Sequence, residues 1–98
     1  MYFITTFTQY TIDSRGFPDM GTLRTVGYYS SREQAFNVVL NNQCDLWETI
    51  YTYAVVEYIE PGLYPIAVDR WFFKWNINTM QYEPIGRLAD NFGNYAFG

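Results

Sequence analysis

From Tyr51 to Ile59 the chain reads Tyr-Thr-Tyr-Ala-Val-Val-Glu-Tyr-Ile, and both alternating sets of that run are largely apolar. Tyr51, Tyr53 and Val55 form one set; Ala54, Val56 and Tyr58 form the other. Successive side chains of a strand point to opposite faces, so a strand apolar on both belongs in the interior of its sheet. The small pair Ala54 and Val56 is expected beneath a helix, where close approach is needed. Glu57 falls in the set of Tyr51 and Tyr53, and a carboxylate there implies that this face meets water at its far end.

The rest of the chain arranges itself around that strand. Residues 2–12 alternate apolar and polar positions and read as a first strand. The turn formers from Asp13 to Gly21 make a long hairpin loop, and Leu23 to Tyr29 returns antiparallel to the first strand. A helix then opens at Ser30-Ser31-Arg32-Glu33-Gln34, where Ser30 with Glu33, or Ser31 with Gln34, matches the capping-box spacing. Ala35, Phe36, Val39 and Leu40 fall on one helical face, and Asn41-Asn42 lies where a helix ends. Asp45 to Glu48 fits one further helical turn with Asp45 as its cap.

After Tyr51–Ile59, Glu60-Pro61-Gly62 and Pro65 mark an irregular exit through Leu63-Tyr64. Arg70 to Trp75 and Met80 to Ile85 form a second hairpin across Asn76-Ile77-Asn78-Thr79, with Pro84 placing the last strand at the sheet edge. Residues 86–98 hold three aromatics among three glycines and either pack by those aromatics or fray. The order is β-β-α-β-β-β. The expected fold is α+β, a single domain over residues 1–98 with one helix on an antiparallel sheet of four or five strands.

A net charge of −4, with six basic residues in 98, argues against a nucleic-acid binder, whose affinity comes from neutralising phosphates. The single cysteine, Cys44, makes neither an internal disulfide nor a multi-cysteine zinc site, which fits a reducing, cytoplasmic compartment. The N-terminus has no basic leader or apolar core of a signal peptide, and no apolar run reaches a membrane-spanning length.

Three clusters are candidates for chemistry. Asp45 with Glu48, near Glu57 and Glu60, offers fewer oxygens than a hard cation needs, so the carboxylates read as a cap and solvated acids. Cys44 lacks the base that activates a thiol, because the chain contains no His. Arg70–Trp75 interleaves cations with aromatics as base-stacking platforms do, yet alternation sends Trp71, Phe73 and Trp75 to the core and leaves Arg70 and Lys74 in water. No enzyme activity, metal or cofactor is therefore expected.

Recognition remains. Aromatic residues make up 21% of the chain, more than one helix-covered sheet can bury in a domain this small. Tyr28, Tyr51, Tyr53 and Phe72 are the expected aromatic anchors and Glu57 the acidic rim of a protein-binding face, or of a symmetric homodimer built on the same face.

The motifs Met1-Tyr2-Phe3-Ile4-Thr5-Thr6, Val26-Gly27-Tyr28-Tyr29, Asn42-x-Cys44-Asp45-Leu46-x-Glu48, Tyr51-x-Tyr53-Ala54-Val55-Val56-Glu57, Gly62-Leu63-Tyr64-Pro65, Trp71-x-x-Lys74-Trp75 and Tyr82-Glu83-Pro84-Ile85 give the chain a wider likeness. It resembles a family of small proteins carried by phages and mobile elements of Gram-positive gut bacteria. That resemblance implies a bacterial cytoplasm as the setting. It also implies a host or defence protein, such as a CRISPR nuclease, as the partner to be bound and blocked.

Overall fold

A computed structural model describes residues 1–62, 66–88 and 95–96. Its centre is the strand that the two-sided apolar pattern singled out. Among the described residues seven strands form in chain order: β1 (Tyr2–Phe7), β2 (Thr11–Ile12), β3 (Pro18–Asp19), β4 (Leu23–Tyr29), β5 (Tyr53–Ile59), β6 (Ala67–Asn76) and β7 (Gln81–Pro84). Five of them make one antiparallel sheet in the order β4-β1-β5-β6-β7, with β5 in the middle. β2 and β3 pair separately, as a small hairpin inside the expected loop. One helix, α1 (Arg32–Leu40), packs on one face of the sheet. The fold is α+β, as expected.

The helix forms for the reason its sequence suggested. Ser31 is the N-cap, extended at φ −114°, and its Oγ accepts from the Gln34 amide at 3.4 Å. Asn42, at φ 47°, turns the chain away after the last turn. Ala35 and Val39 face the sheet with no exposed surface and meet Ile4, Ala54, Val56 and Phe73. Fully burying a side chain of Val size contributes roughly 1.5–3 kcal/mol, and the small Ala35 and Ala54 let the two layers close. Tyr51 lies outside β5, which begins at Tyr53 rather than two residues earlier. The first strand ends at Phe7, well short of residue 12.

Asp45 does not cap a helical turn. It closes a single 3-10 turn, Gln43–Asp45, and Asn42, Cys44, Asp45, Glu48 and Thr49 all hold positive φ. Side-chain bonding fixes this run: the Asn42 Oδ1 accepts from the Trp47 amide at 3.0 Å, and Trp47 stacks flat on Trp75 with centroids 4.3 Å apart. Both edges of the sheet carry features that discourage further pairing. β4 has an extra residue against β1 between Ile4 and Thr5, and β7 ends at Pro84, which has no amide to donate. On β6 the Arg70 amide is taken by the neighbouring Asp69 carboxylate at 2.8 Å.

The expected irregular connection at Leu63, Tyr64 and Pro65 lies outside the described residues. The same is true of most of the tail. Of residues 86–98, Gly86 to Leu88 and Tyr95–Ala96 are described, and Tyr95 and Ala96 are buried.

Candidate functional site

Strand alternation puts Tyr53, Val55 and Glu57 on the face of β5 away from α1. Cross-strand register then aligns two rows there: Tyr28–Phe3–Glu57–Arg70 and Thr25–Thr5–Val55–Phe72. Four of the five expected binding residues, Tyr28, Tyr53, Glu57 and Phe72, therefore share one face. Tyr51 does not join them, because it precedes the strand. It is buried, and its carbonyl accepts from the Tyr82 hydroxyl.

Shared placement is not shared exposure. Tyr28 stands 61% exposed at the outer edge of the sheet, against Phe3 with ring centroids 5.4 Å apart. Tyr53 is half-buried, stacked on Phe7 at 5.1 Å with the Lys74 ammonium over its ring. Phe72 is buried, and Glu57 has no exposed surface at all. The expectation that Glu57 marks a wet rim is thus corrected, as is the expectation that Arg70 stays in water.

Their burial has a specific cause. Arg70 Nε donates to Glu57 Oε2 at 2.9 Å, the Tyr95 amide donates to the same oxygen at 2.8 Å, and the Ala96 amide donates to Oε1 at 2.7 Å. A buried carboxylate is tolerable when its oxygens are bonded and its charge paired, and both conditions hold here. The Tyr95 ring closes the site. It lies 5.2 Å from Phe7 and edge-on to Phe72 at 5.5 Å, with the Arg70 guanidinium 6.0 Å from its centroid.

A second feature lies at one end of the sheet. β1 leaves at Phe7, β4 enters at Leu23, β5 enters at Tyr53, and the β6–β7 turn closes across Asn76 and Gln81, all at that end. Three connections project from it: the β2–β3 hairpin, the run from Gln43 to Thr52, and the β6–β7 turn. They carry Ile12, Phe17, Ile50, Ile77 and Met80, each more than half exposed. A concavity of about 330 Å³ runs beside Ile77, between Lys74, Asn76 and Glu83. In the hairpin the Asp13 carboxylate accepts from the Arg15 and Phe17 amides at 2.9 Å each. The Phe17 amide is the main reason its pKa falls below the usual carboxylate value.

The remaining chemical candidates are placed singly. Cys44 is exposed, and Glu48 pairs with Arg24 at 2.6 Å on the surface. Among the described residues, no three His, Cys, Asp or Glu side chains gather as a metal would require. No described helix is long and apolar enough to cross a membrane. The Trp75 indole nitrogen is buried without a hydrogen-bond partner, stacked beneath Trp47.

Sequence reasoning missed Arg70 and Tyr95 as partners of Glu57. For Arg70 a signal existed: a carboxylate within a strand apolar on both faces calls for a cation on a neighbouring strand, and Arg70 opens the next apolar run. For Tyr95 there was none, since its contact with Glu57 spans 38 residues. Comparison of the chain with protein-family models, curated proteins and solved structures finds no match.

Proposed function

We infer that this chain is a non-enzymatic binding protein whose partner is another protein. The observation that carries this reading is the set of five large apolar side chains held out at one end of the sheet, on three separate connections. Exposing Ile12, Phe17, Ile50, Ile77 and Met80 gains the isolated molecule nothing. Removing them from water contributes about 25 cal/mol for each Å² covered. Loops projecting from a rigid sheet are also where binding side chains commonly sit. The resemblance to phage-borne proteins adds a partner class: a bacterial host or defence protein, a CRISPR nuclease among them, held in an inhibited state.

The test compares wild type with Ile77→Asp and Ile50→Asp, two exposed changes that leave the core untouched. Tagged wild type is expected to retain one bacterial protein reproducibly from lysate and to inhibit it when both are purified. Both variants should lose that partner while keeping the wild-type melting temperature. A wild type that retains nothing the variants do not also retain defeats the reading.

A homodimer through the helix-free sheet face is the alternative, favoured by Tyr28, which stands exposed on that face. Light scattering separates the two: a dimer broken by Tyr28→Asp supports self-association, and a monomer removes it.

A further inference from the structure

Lys74 and Glu83 stand directly opposite each other on the β6–β7 ladder, on the helix-free side of the sheet. Opposite charges so placed normally pair, yet these two are turned apart. The turn holds Glu83: its Oε1 accepts from Asn76 Nδ2 at 2.9 Å and its Oε2 from the Thr79 hydroxyl at 3.4 Å. Asn76 is itself fixed, since its Oδ1 accepts from the Asn78 amide at 2.9 Å. The Lys74 ammonium lies 5.7 Å from the centroid of the Tyr53 ring and makes no hydrogen bond or ion pair among the described residues.

The concavity of about 330 Å³ opens between these two side chains. Ile77, 62% exposed, forms its apolar rim, with Pro84 and the half-buried Ile85 beside it. Both Glu83 oxygens already hold a donor, while all three ammonium donors of Lys74 are uncommitted. The group at this groove that still calls for a partner is therefore a cation, and its complement is a carboxylate. Acidic residues outnumber basic ones ten to six in the chain, so a preference for acid here comes from the position of Lys74 and not from the field of the whole protein.

We propose that the protein partner inserts into this groove a short segment in which an acidic residue adjoins a large apolar one. The carboxylate meets the Lys74 ammonium, and the apolar side chain covers Ile77 and Ile85. Glu83 sets the direction, because its charge repels the incoming acid from the far wall toward Tyr53. The volume is at the low end of the roughly 300–1,000 Å³ of small-ligand sites, so the groove takes side chains from a segment and leaves Ile12, Phe17 and Ile50 to the rest of the partner. The proposal rests on the reading that the partner is a protein and adds the chemistry that partner presents.

The test titrates the tetrapeptide alanine-aspartate-leucine-alanine, blocked at both ends, into the isotope-labelled full chain, following the amide resonances of Lys74, Ile77, Glu83 and Ile85. Saturable shifts are expected, with a dissociation constant on the order of 1 mM for so small a ligand. Asparagine in place of the aspartate should weaken binding about threefold, the scale of an exposed ion pair, and alanine in place of the leucine about tenfold. Lys74→Met should make the aspartate and asparagine peptides bind alike, and Lys74→Arg should restore the difference. Each comparison is made within one variant, so a change in stability does not enter it.

Three results overturn the proposal: no saturable shift up to about 10 mM peptide, an acid preference that survives Lys74→Met, or a peptide with lysine in place of the aspartate that binds as tightly. The underlying reading fails separately. Wild type that retains a protein from lysate through Ile50 while the peptides do not bind loses only the groove. Peptide binding with nothing retained from lysate loses the protein partner and keeps the chemistry of the groove.

Discussion

Replacing Glu57 by Gln exchanges one carboxylate oxygen for an amide nitrogen and removes one charge, with almost no change in volume. In the native site Oε2 accepts from Arg70 Nε and the Tyr95 amide, while Oε1 accepts from the Ala96 amide. The glutamine has one acceptor to offer. Its better orientation keeps the oxygen toward Arg70 and Tyr95 and turns the NH2 group toward the Ala96 amide, donor against donor. An orphaned buried donor costs about 1–3 kcal/mol. Arg70, only 8% exposed, loses the Glu57 charge, and breaking one side of a buried pair costs about 3–5 kcal/mol when nothing relaxes. Relaxation is available here, because lifting residues 95–96 returns Arg70 and the amides to water. The expected loss is therefore about 3 kcal/mol, a large fraction of the roughly 5–15 kcal/mol typical of a whole domain. Urea unfolding of both proteins measures it, and a lower m-value in the variant would report the surface uncovered by the lifted segment. A double-mutant cycle with Ala96→Pro localises the effect. The two changes share one hydrogen bond, so their costs should fall short of additivity by about 1 kcal/mol or more. A Glu57→Gln variant within about 0.5 kcal/mol of wild type, or a cycle that closes to within that margin, refutes the account of the site.

Ala54 faces α1 with no exposed surface, so Ala54→Leu should cost about 1–3 kcal/mol by forcing the two layers apart, read as a drop in the thermal midpoint. Thr49 holds φ 62°, where a β-branched residue is strained; Thr49→Gly should raise stability by about 1 kcal/mol, and unchanged or lower stability would show that the run from Asn42 to Thr49 is held by more than its backbone. Tyr82 is buried with its hydroxyl donating to the Tyr51 carbonyl, and burial, reinforced by Asp45 and Glu48, raises its pKa far above the ordinary value. Its contribution is therefore complete below about pH 10 and is lost as pH climbs beyond that, because the unfolded chain gives up the proton first. Tyr82→Phe should cost about 1 kcal/mol at neutral pH, and the gap from wild type should narrow above pH 10; a gap constant across that range would contradict the burial.

The accuracy of the sequence reading followed the distance over which each feature is determined. Ser31 and Gln34, Ala54 and Val56 beneath the helix, and Pro84 at an edge are set by local spacing, and all three were legible. The positive φ angles at Cys44, Asp45, Glu48 and Thr49 were not, since no glycine announces them. They are held by the Asn42–Trp47 bond and the stacking of Trp47 on Trp75. Glu57 shows the limit most clearly. Alternation assigned it to the correct face, and solvation was then inferred from its charge. That step was the faulty one, because alternation says which way a side chain points and nothing about what covers it.

A sheet with one helix has a second face to cover, and a nine-residue helix cannot serve both. Water, a partner or the chain itself must do so. On this face the choice turns on the chemistry of the carboxylate. With Arg70 taking part of one oxygen, Glu57 still has acceptor capacity that apolar neighbours cannot satisfy. A main-chain segment satisfies it with N–H groups that would otherwise need partners of their own. The acid read as a sign of solvent is thus the group that draws Tyr95–Ala96 across the sheet and dries the face around it. Its removal should uncover that face without dismantling the sheet, because neither neighbouring ladder depends on it.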